Sequence, residues 1–545
     1  MGVFAAVAFF NLGDTNYPRN PYVFTKNEPV FVDFGQIMKF QGVVFLNGAS
    51  VNSGFRVYSW DGEDLFDLCC EETRAVKYRW FAFKCNITTR YVVIEPAAPG
   101  VSILEMGFIC NDMFVKPVAY SPPESSLLFD EQWLIPENPS YMNDMNFDES
   151  LHTLTAYEFI LARQPSEWTH PPLGKSLIAI GIKLFGMTPF GWRFMSALFG
   201  VLMIIPIFAL GKHIFDSRYF AFVAAFVFAF DFMHFVQARV ATLDTFLVTF
   251  ILCMYLFMYK YTRIEHEKRL TPKALAYLAI SGVFMGLAIS VKWQGVYAGL
   301  GLAALFALVW FESRVHYISK GRKKTFIKAF FKTALWCVLF FVAVPATIYC
   351  LAYIPFARAC DLPLFKAIVK NQADMLNFHT VLAENNDYQS RWWTWPLDLR
   401  PIYYYRQIMG GGKYRGVNSF GNPALWWGGF LGLIWCAKRW ITGNDKTARF
   451  LCIAWAAQIL PWVFVSRSTF IYHYFPCVPF LALAALYFIK TQPKRRRVWC
   501  AIAGCTVVLI LFAAFHPVLS GISANIDYIR RLEWLPGWQF IGTGT

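Results

Sequence analysis

Residues 146–211 read NFDESLHTLTAYEFILARQPSEWTHPPLGKSLIAIGIKLFGMTPFGWRFMSALFGVLMIIPIFALG. The stretch begins with an acidic pair, Asp148 and Glu149, passes through a His-Pro-Pro turn at His170, and ends in a mostly apolar run at residues 191–211. A run of that length can cross the hydrocarbon core of a bilayer as a helix. A paired carboxylate so close to a predicted membrane segment is typical of a reaction centre.

The composition places the whole chain in the membrane class. Of its 545 residues, 57% are hydrophobic and only 16% are charged, which is too apolar for a soluble globular protein. Further apolar segments lie at about 219–236, 241–260, 274–290, 294–311, 333–353, 423–437, 450–465, 474–489 and 498–516. Together with residues 1–14, which we interpret as a truncated first helix, they predict a polytopic α-helical membrane protein with about eleven transmembrane helices.

Positive charge in alternate loops sets the predicted orientation. Lys and Arg residues cluster at about 212–218, 260–273, 314–332, 438–449 and 490–497. By the positive-inside rule these loops are cytoplasmic, so the other connections lie on the outer side. Attraction of the basic loops to anionic membrane lipid accounts for the net charge of +15, and we expect no nucleic-acid partner.

Residues 15–125 have a different character. Short alternating runs such as VFVDF, FRVYSW and YVVIE are separated by Gly, Asn and Asp turns, which predicts a small extracytoplasmic all-β sandwich inserted in the first outer loop. Its cysteines, Cys69, Cys70, Cys85 and Cys110, leave one disulfide as an open alternative. The remaining predicted divisions are a catalytic outer loop at 126–190, transmembrane helices at 191–353, an outer loop at 354–422, transmembrane helices at 423–516 and an outer tail at 517–545.

Three short outer turns each hold one cation on the side that usually lacks them. These cations are Arg239, Lys292 and Arg467. A lipid-linked phosphate arriving from the bilayer would give each a partner, because its negative charge lies at the depth of these helix ends. The alternative is that each cation snorkels to the interface or pairs with a nearby carboxylate.

Several motifs, in order along the chain, resemble those of the protein O-mannosyltransferase family. They are NFDESLHTLTAYEF from Asn146, THPPLGK from Thr169, GWRFMSALFG from Gly191, QARVATLDTF from Gln237, AISVKWQGVY from Ala288, SRWWTWPL from Ser390 and TFIYHYFPCVPFLALA from Thr469. The resemblance covers residues 146–541 and favours the bacterial branch, because HPVLSG occurs at residues 516–521. It implies a GT-C-type glycosyltransferase that transfers mannose from a polyprenyl- or dolichyl-phosphate-mannose donor to Ser/Thr hydroxyls of proteins.

The resemblance also implies roles for individual residues. Asp148 would act on the acceptor hydroxyl with Glu149 beside it, and Arg239 would contact the donor phosphate. A hydroxyl is a poor nucleophile, so a carboxylate must take its proton during attack on the anomeric carbon. The departing phosphate needs positive charge, which Arg239, Lys292 and Arg467 would supply. A single displacement inverts the anomeric centre, so a β-linked donor would give an α-mannoside.

Further residues are candidates for donor or acceptor contact. They are His170, Lys175, Asp231, Asp244, His473 and Tyr474. His170 could equally shape the stiff Pro-Pro turn, and Lys175 could mark the interfacial end of a helix. Asp231 is costly in lipid and is expected to face the site or a partner such as Lys292.

Two features of the motifs limit these assignments. Many family members have an Asp two residues before the His of the Pro-Pro turn, whereas this chain has Trp168 there, with Glu167 as the nearest acid. A metal held by Glu167 and His170 is therefore an unsupported alternative, and no cofactor is predicted. The acidic string also occurs earlier, at residues 129–131, but a Pro-broken loop follows it, so we predict that the second copy is functional.

Two other classes remain as alternatives. A transporter would also hold charge within the membrane, but we find no inverted repeat of broken helices in the sequence. A related lipid-phosphate-sugar-dependent glycosyltransferase acting on a lipid or a cell-wall polymer would share the donor machinery and differ in its acceptor groove. Both glycosyltransferase hypotheses predict a multi-pass plasma-membrane enzyme with an extracytoplasmic active site. The oligomeric state is left open.

Overall fold

The computed structural model describes residues 1–48, 54–60, 64–73, 77–381 and 388–542. The chain divides into two compact units. The first, here called the strand-rich unit, consists of Asn11–Leu154 and Gly181–Arg193. The second, the helical unit, consists of Met1–Phe10, Thr155–Ile180 and Phe194–Thr545.

The strand-rich unit is built on one antiparallel sheet. Its strands are β1 (Tyr22–Val23), β2 (Val30–Asn47), β3 (Phe55–Trp60), β4 (Leu65–Glu72), β5 (Trp80–Pro96), β6 (Ser102–Cys110), β7 (Met113–Val115) and β8 (Ala119–Ser121). The order across the sheet is β1-β6-β2-β5-β3-β4, with β7 paired to β6 and β8 paired to β2. Alternate residues of β2, Val30, Val32 and Phe34, enter the apolar core, as the period-two pattern requires.

The cysteines of this sheet are thiols. All 13 cysteines lie in the part of the chain that the structure describes, and each is free. Cys69 on β4 and Cys85 on β5 hydrogen-bond to one another through their side chains. The disulfide left open by the sequence is therefore not formed, although two of the four candidate thiols are neighbours.

The remaining elements are mostly helices. In chain order they are α1 (Gly2–Phe9), α2 (Glu149–Leu161), α3 (Leu173–Phe185), α4 (Pro189–Leu202), α5 (Ile204–Phe215), α6 (Arg218–Ala229), α7 (Phe232–Arg239), α8 (Asp244–Thr262), α9 (Pro272–Val291), α10 (Gln294–Ser319), α11 (Lys323–Val338), α12 (Val344–Ala352), α13 (Ile354–Ala359), α14 (Leu364–Val381), α15 (Pro423–Gly443), α16 (Lys446–Ile459), α17 (Val478–Lys490), α18 (Lys494–Ser520) and α19 (Ile526–Arg531). A hairpin, β9 (Ile402–Met409) and β10 (Lys413–Ser419), pairs with β11 (Ala524–Asn525).

Eight helical segments among the described residues are long and apolar enough to cross a membrane. They are Pro189–Phe215, Asp244–Thr262, Pro272–Val291, Gln294–Ser319, Lys323–Ala359, Lys446–Phe464, Ile471–Lys490 and Lys494–Ser520. Helices α6 and α7 add a ninth if they form one span, bent by 61°. The protein is therefore a multi-pass membrane protein.

This count is lower than the eleven spans that the sequence suggested. Helix α1 has 8 residues, too few to cross a bilayer. Helix α15 is long enough, but its Trp and Gly residues, with Lys438 and Arg439, lower its mean hydropathy. The segment at 219–236 is broken at Asp231, whose carboxylate caps α7 by accepting from the His234 N–H at 3.1 Å.

A buried carboxyl group makes the strand-rich unit sensitive to pH. Glu105 on β6 is fully buried and accepts from the backbone N–H groups of Met106 and Glu131, at 3.2 and 2.8 Å. Burial raises its pKa from 4.5 to about 8. The folded protein thus holds a proton that the unfolded chain releases at lower pH. The contribution of this protonated carboxyl to the free energy of unfolding is complete below pH 4.5. It declines as the pH rises through 8.

We therefore expect the thermal unfolding midpoint of the purified protein to fall between pH 6 and pH 9, and Glu105→Gln to remove part of that fall. The measurement is a series of melting curves in detergent across this pH range. Glu28→Gln is the matched control, because the Glu28 side chain is 74% exposed. Equal pH slopes for wild type and Glu105→Gln would contradict the prediction.

Candidate active site

The acidic pair lies in the strand-rich unit, at the start of α2. Phe147 has a left-handed backbone, with φ +53°, and turns the chain into the helix. Asp148 follows, partly buried, and its carbonyl accepts from the His152 N–H at 2.9 Å. Adjacent residues at a helix start point about 100° apart, so Asp148 and Glu149 enter different environments.

Glu149 is held in a buried ion pair. Both its carboxylate oxygens accept from Arg193, Oε1 from Nε at 2.7 Å and Oε2 from Nη2 at 2.8 Å, and neither side chain is exposed. Arg193 also donates to the carbonyls of Leu12, Tyr141 and Asp144 at 2.7–3.0 Å. The Glu149 carboxylate is thus occupied by Arg193, and its grouping with Asp148 as catalytic stays a prediction.

The earlier copy of the acidic string is used differently. Asp130 accepts from the Asn20 side-chain amide at 2.8 Å, and Glu131 accepts from the backbone N–H of Arg19 at 2.6 Å. Both carboxylates therefore fasten the segment at residues 19–20. That the second copy is the functional one stays a prediction.

The His-Pro-Pro turn lies in the helical unit and is built on a buried lysine. Lys175 is fully buried, pairs with the Glu167 carboxylate, and donates to the carbonyls of Glu167 and His170 at 3.0 and 3.1 Å. Its ammonium thus closes the turn from inside, in the first turn of α3, and both roles predicted for Lys175 stay predictions. His170 Nδ1 is 3.4 Å from Glu167 Oε1.

This turn does not fit a divalent cation. Glu167 and His170 would supply two ligands, but the Lys175 ammonium already neutralises the carboxylate. Across the residues that the structure describes, no group of three or more His, Cys, Asp or Glu side chains is arranged to hold a metal ion.

Of the three isolated cations, two have partners within the protein. Arg239 Nη1 donates to carbonyls at the end of α1, those of Ala8 and Phe10 at 2.9 and 2.6 Å. Lys292 pairs with Asp244, at 2.9 Å to Oδ1 and 2.8 Å to Oδ2. Arg239 is thus bound to the end of α1 and Lys292 to Asp244, and contact of either with a donor phosphate stays a prediction.

Asp231 is also occupied, but not by Lys292 as the sequence had suggested. It is fully buried and accepts from the Asn422 N–H and Trp426 Nε1, each at 3.0 Å. Its role is to join α7 to the start of α15.

A cavity of about 480 Å³ in the helical unit brings together four of the predicted residues. They are His170, Lys292, Arg467 and His473. Tyr474 lies outside this lining and is fully buried, with its hydroxyl accepting from Trp455 Nε1 at 2.8 Å. We call this space the donor cavity, because residues that the sequence predicts to contact a donor line it.

Arg467 carries the uncompensated charge of the donor cavity. Within the described ranges, no carboxylate or other acceptor contacts its guanidinium, which is partly exposed. The field is strong enough to affect a neighbour, because burial, together with the nearby Arg467, lowers the pKa of His379. The donor cavity is thus suited to an anion.

His379 was not predicted from the sequence. It lies near the end of α14, and its Nε2 donates to the Thr169 carbonyl at 3.0 Å, next to the Pro-Pro turn. A single histidine in a polar helix has no distinguishing pattern. Its position depends on the packing of α14 against residues 210 positions earlier in the chain. Trp293 and Gln294, which also line the donor cavity, belong to the motif AISVKWQGVY and directly follow Lys292.

A second cavity, of about 780 Å³, meets the first at Arg467. The two share Trp462, Val465, Ser466 and Arg467, and residues 389–394 form much of the second lining. The Arg391 guanidinium lies 5.1 Å from the centre of the Trp393 ring, an arrangement of cation on aromatic face. We call this space the adjoining cavity.

The family models agree with this arrangement. Residues 169–349 match the family described as dolichyl-phosphate-mannose-protein mannosyltransferase. Residues 364–538 match the C-terminal four TMM region of protein-O-mannosyltransferase. The two matches together include the Pro-Pro turn and every residue that lines the donor cavity.

Individual proteins give the same result. The polyprenol-phosphate-mannose–protein mannosyltransferase of Corynebacterium glutamicum is 28% identical over 424 residues, covering 68% of this chain and 81% of that protein. The enzyme of the same name from Mycobacterium tuberculosis H37Rv is 25% identical over 467 residues, covering 76% and 86%. In the S. cerevisiae protein O-mannosyltransferase Pmt1-Pmt2 complex bound to the sugar donor, one chain has the same fold, with a TM-score of 0.62, 16% identity, and coverage of 72% of this chain and 89% of that one. The protein is thus a polytopic membrane glycosyltransferase, and it belongs to the bacterial-type protein O-mannosyltransferase family.

Proposed function

We propose that the protein transfers mannose from a polyprenyl-phosphate-mannose donor to Ser/Thr hydroxyls of proteins on the outer face of the membrane. The observation that carries the proposal is the Arg467 guanidinium, which no acceptor contacts in the described part of the chain, on a cavity at the ends of apolar helices. The names of the Corynebacterium and Mycobacterium relatives supply the sugar and the acceptor class.

The donor cavity has the size and charge for a sugar phosphate. Its volume of about 480 Å³ lies within the range of about 300–1,000 Å³ typical of small-molecule sites. Arg467 binds the phosphate, because a guanidinium presents paired N–H donors that match phosphate oxygens. Lys292 is already neutralised by Asp244, so it contributes a fixed N–H dipole rather than net charge.

The reaction is a single displacement. The acceptor oxygen forms a bond to the anomeric carbon as the bond from that carbon to the phosphate oxygen breaks, and Asp148 takes the hydroxyl proton. The electron pair leaves with polyprenyl phosphate, whose charge Arg467 stabilises. Attack from the opposite face inverts the anomeric centre, so a β-linked donor yields an α-linked mannose.

The adjoining cavity is the proposed acceptor site, because it shares Arg467 with the donor cavity and carries aromatic and hydroxyl side chains. A lipid or cell-wall polymer acceptor is the alternative, and it would use the same donor cavity. A transporter is less well supported, since the reaction-centre motifs would then have no role.

The experiment that separates these functions is transfer of radiolabelled mannose from synthetic polyprenyl-phosphate-mannose by the purified protein. The acceptors are a Ser/Thr-rich peptide and, in parallel, a membrane lipid and a wall-polymer extract. Labelled peptide would support the proposal. If the donor is consumed and label appears only in lipid or polymer, the acceptor is that lipid or polymer and not a protein. If the donor is not consumed, the donor assignment is wrong.

We expect Arg467→Gln to raise the KM for the donor by about 10- to 100-fold, since a hydrogen bond to a charged group contributes about 1.5–3 kcal/mol. Arg467→Lys should recover part of this loss because it restores the charge without the paired donors. The measurement is initial transfer rate against donor concentration. Arg391→Gln, which removes the same charge from the adjoining cavity alone, is the control. A donor KM within twofold of wild type for Arg467→Gln would contradict the assignment.

A further inference from the structure

The helices that border the donor cavity have a third cavity at their opposite ends. Helix α8 begins at Asp244, the partner of Lys292, and runs for 19 residues, or about 28 Å, to Thr262. There, residues 262–269 from the α8–α9 connection meet the end of α10 and the start of α16 around a cavity of about 520 Å³. Its position at the helix ends corresponds to the headgroup region of a bilayer.

Cations dominate this cavity. Arg263, Arg269, Lys320 and Lys446 line it, against the carboxylates of Glu265 and Glu267. Each of those two carboxylates also has a cation outside the lining, since Glu265 pairs with Lys268 at 3.0 Å and Glu267 with Arg322 at 2.9 Å. Two of the lining cations are paired as well, Lys320 with Glu267 at 3.4 Å and Lys446 with Glu312, outside the lining, at 2.7 Å. Among the described residues, Arg263 and Arg269 form no such ion pair. The lining therefore has an excess of positive charge.

Two histidines also line the cavity, and one of them is affected by burial and by that charge. The rings of His266 and His316 stack with their centres 4.7 Å apart. Burial, with Arg269 and His316 beside it, lowers the pKa of His266 to about 4, so this ring is neutral at physiological pH. The neutral His266 ring brings no charge of its own to the cavity. An anion bound there would therefore be attracted by the cations of the lining.

Arg269 is the decisive residue. It is 3% exposed, and its Nη1 donates to the Ser313 hydroxyl and the Val309 carbonyl, both on α10. Among the described residues, its Nε has no hydrogen-bond partner and no carboxylate lies within ion-pair distance of its guanidinium. The nearby carboxylate, that of Glu312, is itself paired with Lys446 and Arg449. A buried charge without a counter-ion is strongly unfavourable. The fold retains one here, on the wall of a polar cavity.

We propose that this cavity is a binding site for a phosphate oxyanion, anchored by Arg269 and screened at its rim by Arg263 and Lys320. Phosphate fits because a guanidinium binds it through paired N–H groups, and because the rim adds Arg263 and the ammonium of Lys320, which shares Glu267 with Arg322. An anionic phospholipid headgroup and free inorganic phosphate share this chemistry. We favour the lipid headgroup, because the cavity lies at the depth where phospholipid phosphates occur.

The test uses the full-length protein purified in detergent with added phosphatidylglycerol, and native mass spectrometry to count retained lipids. We expect one retained phosphatidylglycerol on the wild type and at least a tenfold loss of that species in Arg269→Gln. Lys328→Gln removes the same charge from an exposed position on α11 outside the cavity, and should retain the lipid. Equal retention by Arg269→Gln and wild type would overturn the proposal, as would equal loss in Lys328→Gln.

A second arm identifies the source of the phosphate. The protein is placed in nanodiscs of phosphatidylcholine alone and titrated with inorganic phosphate by calorimetry. Saturable binding that Arg269→Gln abolishes, without retained phosphatidylglycerol in the first arm, would support the site with free phosphate as its ligand. If Arg269→Gln does not fold, the double variant Arg263→Gln/Lys320→Gln, at the exposed rim, replaces it, and unchanged retention of both ligands would then overturn the proposal.

Discussion

Replacing Asp148 by Asn is expected to reduce mannose transfer by about 100- to 10,000-fold, the usual contribution of a general base. The amide has nearly the shape of the carboxylate but does not accept the hydroxyl proton. The substitution should leave the fold intact, because Asn is as good as Asp at the start of a helix, where Asp148 precedes α2. The measurement is the initial rate of peptide labelling at saturating donor, with a melting curve of the same preparation.

Two comparisons make this result specific. Asp130→Asn changes the same residue type in the earlier acidic string, where the carboxylate only accepts from Asn20, and should alter the rate by less than about threefold. Asp148→Asn should also remove the acidic limb of the pH–rate profile, since that limb reports protonation of the base. A variant that keeps wild-type rate and profile would show that another group takes the proton.

The sequence was sufficient for the charges but not for their partners. It identified Arg239, Lys292 and Arg467 because the positive-inside pattern made them exceptional. It did not show which of them have partners within the protein. Arg239 donates to the end of a helix 229–231 residues earlier, and Lys292 pairs with a carboxylate 48 residues away. Such partners are set by how the helices pack, and no local pattern encodes that arrangement.

The number of spans shows a similar limit. Apolar length located most of the membrane helices, because the bilayer imposes a minimum length on each of them. It did not reveal that the segment at 219–236 bends at Asp231, since the bend depends on Asn422 and Trp426 reaching that carboxylate from α15. A polar residue inside an apolar run was the visible signal, and its consequence for the helix required the structure.

Glu149 gives the second large expected effect, of a different kind. Glu149→Gln should lower the unfolding midpoint by on the order of 10 °C, because removal of one partner from a buried ion pair costs about 3–5 kcal/mol. The Arg193 guanidinium would remain buried with only carbonyl acceptors. The midpoint is measured in the same detergent as for Asp148→Asn, which should melt like the wild type.

A double-mutant cycle isolates the ion pair. Arg193→Met alone should be at least as destabilising as Glu149→Gln, since it strands the carboxylate and also removes the donors to the carbonyls of Leu12, Tyr141 and Asp144. The double variant Glu149→Gln/Arg193→Met should lose less than the sum of the two, because no unpaired charge remains. Additive losses would mean that the two groups contribute independently.

The contrast between the adjacent acids then becomes a test of the whole site. If Asp148 is the base and Glu149 supports it, Asp148→Asn loses rate at constant stability, whereas Glu149→Gln loses stability and retains a measurable rate at a temperature where it is folded. Glu149→Gln, even then, should be slower than wild type, because Arg193 fixes the loop that carries Asp148 through Tyr141, Asp144 and Glu149. The opposite pattern, with a stable but inactive Glu149→Gln, would assign the proton transfer to Glu149.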